Sequence, residues 1–248
     1  MILFKLLFNP STRKLQPENY LRATGECVGL MFLVSLLVTF FVNPHLFIDN
    51  PIKDRIGYNS IIFSFISYPP ASYIVMLIGI YASYFAIHYN RYSLMRLRIQ
   101  NLNQNFYIKF SKLTNILYIF SIAIFLLIIF FDPAIFPWIN ILLLIQFILI
   151  RSMVVIGSYL TNTNTNSIYK KYVIINFITS IAYVMCLLIN YYAYSIHDHL
   201  NGHFESIVPY YITMSIDYFL VILGLTYTFL PINGKTIEVE YSPENNQK

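Results

Sequence analysis

Six apolar stretches, at residues 25–42, 71–89, 115–131, 137–157, 172–194 and 209–230, dominate the sequence. Each is close to the length, about 17 to 25 residues, that a helix needs to cross the hydrocarbon core of a bilayer. Only 11% of the residues are charged and 57% are hydrophobic, whereas ordinary soluble domains carry about 25% charged residues. That is too little charge to cover a soluble surface and too much apolar material for a disordered chain. Two cysteines rule out a small module stapled by disulfides. The expected fold class is an all-α membrane protein, a six-transmembrane-helix bundle. Residues 1–24 form an N-terminal segment, 25–230 the membrane domain and 231–248 a polar tail.

The formal net charge of +5 acquires meaning from its placement. Lys5, Arg13, Lys14 and Arg22 precede the first stretch. Arg91, Arg96, Arg98, Lys109 and Lys112 lie between the second and third. Lys170 and Lys171 precede the fifth, and Lys235 and Lys248 follow the sixth. The connections on the opposite side hold only Lys53 and Arg55 as basic residues, with several acids. Every second connection is therefore basic, which by the positive-inside rule puts both termini in the cytosol. The Arg96, Arg98, Lys109 and Lys112 loop either serves only as this orientation signal or also meets anionic lipids or a cytosolic protein partner. Membrane lipids are the expected partners. Nucleic acid is not, because no aromatic-interleaved basic platform is present.

Polar residues inside spans must face other helices or a cavity, since lipid cannot satisfy them. At helical spacing, Asn176, Ser180, Tyr183, Asn190 and Tyr194 share one face of the fifth stretch. Tyr210, Thr213, Asp217, Gly224 and Thr228 share one face of the sixth. Asn140 and Arg151 stand about three turns apart in the fourth. Two readings of these stripes stay open, interhelical hydrogen bonding and a ligand-lined cavity. The ligand or lipid-binding candidates are Asp217, Arg151, Asn176, Tyr183, Asn190 and Thr213. Asp217 and Arg151 are the two charges that span composition does not explain. They differ in depth by several ångströms, so a direct pair requires the arginine to stretch. Gly25 and Gly29, like Gly79 and Ser83, have the small-residue spacing that lets helices approach closely.

His197, Asp198, His199 and His203 cluster in the connection after the fifth stretch. They are weak metal candidates, with a solvated loop as the alternative. No cofactor is expected. Walker, Gly-x-Ser-x-Gly and His-Glu-x-x-His patterns are all absent from the sequence, so hydrolase or ATPase chemistry has no visible carrier.

Three stretches carry a family resemblance. Pro69-Pro70-Ala71-Ser72 opens the second apolar stretch and Tyr89-Asn90-Arg91-Tyr92 closes it. The sixth holds Asp217-Tyr218 with Gly224 further on. Together they resemble the six-span family of the damage-regulated autophagy modulators. That family's relatives are GPI-anchor remodelling proteins of the Golgi and yeast suppressors linked to a plasma-membrane phosphatidylinositol-4-kinase. The family-motif positions are Pro69, Pro70, Ser72, Tyr89, Arg91, Tyr92, Asp217, Tyr218 and Gly224. Where the family carries Ile-Ser-Asp-x-Gly, this chain has Ile66-Ser67-Tyr68-Pro69-Pro70. The resemblance implies a non-enzymatic multipass protein of the endomembrane system, at the lysosome, Golgi or plasma membrane, that modulates autophagy or membrane-lipid organisation. A carrier of lipid or small solutes and a GPI-anchor or lipid-remodelling factor are the alternatives.

Overall fold

The computed structural model describes residues 14–56, 59–60, 66–99, 106–161, 167–197, 210–227, 230 and 237–238. Among them are six long helices: α1 (Pro17–Val42), α3 (Pro70–Ile99), α4 (Phe106–Phe125), α5 (Pro137–Thr161), α6 (Ser167–His197) and α7 (Tyr210–Thr226). A short helix, α2 (Pro51–Ile56), lies in the connection between α1 and α3. Five helical segments, Pro17–Val42, Pro70–Leu97, Ile108–Phe130, Pro137–Thr161 and Ser167–Asn190, are long and apolar enough to cross a membrane. The sixth, α7, is apolar but has 17 residues, the lower limit for a span at about 1.5 Å per residue.

Prolines set several of the boundaries. Pro17, Pro51, Pro70 and Pro137 each open a helix, where the missing N–H is no loss and the fixed φ is already helical. Pro44 follows the end of α1 and starts a 3-10 turn, Pro44–Phe47. Asn50 caps α2, its Oδ1 accepting the Lys53 backbone N–H at 2.7 Å. Asp132 Oδ1 accepts from the Ala134 N–H at 2.8 Å, and Asn140 Nδ2 donates to the carbonyls of Phe131 and Phe136. These bonds tie the turn between α4 and α5, so Asn140 is a turn-building residue.

The helices close into a ring in the order α1, α3, α4, α5, α6, α7 and back to α1, with α1 packed most extensively on α3. The short α2 covers one end of this ring. It packs on α5 and α6 and buries Ile52 and Ile56 completely. At the opposite end two two-residue strands pair antiparallel, β1 (Lys14–Leu15) with β2 (Ile237–Glu238). The segments before α1 and after α7 therefore meet at one end of the bundle.

The outer surface is apolar on every long helix. Phe41 is 77% exposed, Phe120 61%, Leu142 61% and Ile178 60%. Isolated exposed apolar side chains are ordinary, but a continuous belt is not compatible with water. With five spanning-length helices, this makes the chain an integral membrane protein.

Several helix ends outrun the stretches read from hydropathy, whereas α4 ends at Phe125, short of 131, and α7 ends at Thr226, short of 230. α1 starts at Pro17 rather than 25, α3 continues to Ile99 rather than 89, and α6 begins at Ser167 rather than 172. At α1 and α3 the physical reason is that charges near these ends are buried against neighbouring helices, whereas Lys170 and Lys171 near the start of α6 are exposed. Glu18, Arg22, Glu26 and Arg96 are all under 9% exposed, so they do not mark where a helix stops.

Candidate functional site

A cleft lies between α1, α5, α6 and α7, with about 590 Å³ of space once its open mouth is included. Most of its wall is apolar, with Val28 and Phe32 from α1, Leu144 and Phe147 from α5, and Leu220 and Val221 from α7. The polar exceptions are Arg151, Ser152, Asn176, Ser180 and Asp217. Leu225 also lines the cleft and is 40% exposed on the bundle exterior, so the cleft borders the lipid-facing surface.

Two glycines place the Arg151 guanidinium. A Cβ on Gly25 would stand 2.7 Å from Arg151 Nη2, and one on Gly224 would stand 2.9 Å from Nη1. The guanidinium thus occupies a slot between α1 and α7 that any larger residue would narrow. Arg151 Nη2 donates to the Gly224 carbonyl at 3.1 Å. Arg151 itself is only partly buried, so its planar fork of five N–H donors is not enclosed.

Asp217 enters the same cleft from the other direction. It is 1% exposed, and Oδ2 accepts a 2.7 Å bond from the hydroxyl of Ser60, in the connection after α2. Gly224 follows Asp217 by seven residues on α7, which is about 10 Å along the helix axis. The two charges therefore sit at different depths of one cleft, each with its own polar partner. Ser180 donates to the Asn176 backbone carbonyl at 2.7 Å, and both residues line the cleft. Ser152 is buried, and its Oγ has no hydrogen-bond partner among the described residues.

The other candidates sit elsewhere. Asn190 Nδ2 donates to Thr213 Oγ1 at 3.2 Å, both side chains fully buried. That bond joins α6 to α7 directly. Tyr183 is also fully buried and does not line the cleft. The polar stripes thus divide along their length: Asn176, Ser180, Asp217 and Gly224 face the cleft, while Asn190 and Thr213 connect helices.

Arg96 departs most from its expected place in a lipid-facing loop. It is 2% exposed, and Nη1 donates to Glu18 Oε1 at 2.5 Å. Tyr89 is buried in the same α1–α3 core. Arg91, Lys109, Lys112, Lys170 and Lys171 are exposed. Arg98 lies within α3, and Arg22 donates to the Leu230 carbonyl just past α7.

The family-motif positions do not converge on one site. Ser72 Oγ donates to the Pro69 carbonyl at 2.6 Å in the first turn of α3, which begins at Pro70. Tyr89, Arg91 and Tyr92 stand near the far end of α3, Tyr92 stacked on His88. Tyr218 is 40% exposed beside Asp217. His197 ends α6, while His199 and His203 lie outside the described residues. Among the described residues no group of three or more His, Cys, Asp or Glu gathers.

Ser60, Ser152 and the Gly25–Gly224 slot were not legible as a site. Gly25 signalled close helix approach, and what approaches is a side chain from a third helix. No protein-family model, curated protein or solved structure matches the chain.

Proposed function

We propose that this protein is a six-span membrane protein that holds a membrane lipid in the cleft between α1, α5, α6 and α7. In this reading it acts non-enzymatically in membrane-lipid organisation within the endomembrane system, the role implied by the resemblance to autophagy modulators. Both termini face the cytosol, and α7 is the sixth span. The observation that carries the reading is the composition of the cleft. Its walls are apolar, a few polar groups converge on it, and it borders the lipid-facing surface. Small-molecule sites have this composition, and in a bilayer the abundant amphipath is lipid. The paired termini support an even number of crossings. The exposed Arg91, Lys109, Lys112, Lys170 and Lys171 at that end suit an acidic cytosolic leaflet.

The test is native mass spectrometry of the purified full chain, delipidated and titrated with phospholipid. The expected result is saturable binding of about one lipid per chain, lost in Gly29→Trp, whose side chain fills the cleft. Absence of saturable binding, or equal binding by Gly29→Trp in a folded state, overturns the reading.

A further inference from the structure

Resting on that lipid reading, we infer that the cleft selects a phospholipid whose head is an anionic phosphate, seated against Arg151. A cation in a mostly apolar wall at span depth is expensive unless something compensates it. Among the described residues the hydrogen-bond compensation of this guanidinium is one carbonyl, that of Gly224, at 3.1 Å. Asp217 is turned to Ser60 and lies about two helical turns away on α7. The guanidinium fork therefore retains donors for a ligand.

Two further donors share the cleft. Ser152 is buried on α5 with its Oγ unpartnered among the described residues, and Asn176 lines the cleft from α6. Guanidinium, hydroxyl and amide together suit the several oxygens of a phosphate, which the guanidinium fork can bind bidentately. The Gly25–Gly224 slot has a consistent purpose here. It holds the guanidinium plane in place before the ligand arrives, which limits the entropy lost on binding. Val28, Phe32 and Leu220 then offer an apolar path for the start of an acyl chain.

The experiment is a competition between phosphatidic acid, phosphatidylcholine and oleate for the delipidated full chain, read by native mass spectrometry. Wild type should favour phosphatidic acid over phosphatidylcholine by about tenfold, the scale of one charge-assisted bond. Arg151→Gln should bring that ratio close to one. Gly25→Ala, which keeps the charge but crowds its slot, should lower the ratio partway. Equal wild-type binding of phosphatidic acid and phosphatidylcholine overturns the headgroup inference while leaving the lipid reading standing. So does an undiminished ratio in folded Arg151→Gln, and preference for oleate overturns the phosphate assignment. No saturable binding by any of the three overturns both. The wild-type ratio decides the matter even where a variant does not fold.

Discussion

Arg96, near the end of α3, donates to Glu18, in the first turn of α1, and both side chains are almost wholly buried. The pair clamps the two most extensively packed helices at one end of the bundle. Breaking a buried pair from one side leaves an uncompensated charge and costs about 3–5 kcal/mol. Glu18→Ala should therefore lower stability by roughly that amount in detergent, read by denaturant or thermal unfolding. Glu18→Gln with Arg96→Met, which removes both charges, should recover most of the loss. An unchanged midpoint for Glu18→Ala would show that the pair contributes nothing.

The Asp217–Ser60 bond ties α7 to the connection that follows α2. Asp217→Asn keeps an acceptor oxygen, whereas Asp217→Ala leaves the Ser60 hydroxyl without this one. Losing the bond should cost about 1–3 kcal/mol of local stability. Hydrogen exchange over residues 51–60 should quicken in Asp217→Ala and change little in Asp217→Asn. Equal protection in both would place the anchor of that connection elsewhere.

Gly29 faces Leu225 across the α1–α7 contact, where an added Cβ would come within 2.2 Å of Leu225 Cδ2. The obstructing atom ends a flexible side chain, so Gly29→Ala should be tolerated at about 1–3 kcal/mol. Leu225→Ala in the same chain should relieve most of that cost. A double-mutant cycle with no coupling between the two would contradict the contact.

The paired terminal strands predict a labelling pattern. With Cys27 and Cys186 replaced by serine, single cysteines at Lys14, Arg91 and Lys112 should react with an impermeant maleimide from the cytosolic side. Cysteines at Ile48 and Ile135, both exposed in connections at the other end, should react from the opposite side. Labelling of positions 14 and 238 from opposite faces would exclude six crossings.

Hydropathy determined that the chain crosses a membrane and roughly where, because lipid imposes one requirement on every helix regardless of its neighbours. The same residue-level logic singled out Arg151 and Asp217, since a charge inside a span is conspicuous whatever surrounds it. It misplaced the ends of α1 and α3, because Arg96 read as a charge of the connection between the second and third stretches until Glu18 is seen to bury it. It placed Asn176 and Asn190 on one face, yet only the packing of α1, α5, α6 and α7 decides which lines a cleft and which bonds Thr213. Gly25 and Gly224 are 199 positions apart, and their common role around one guanidinium exists only where α1 meets α7. A periodic pattern reports the face on which a residue lies. What that face meets depends on helices distant in sequence, and tertiary structure alone decides it.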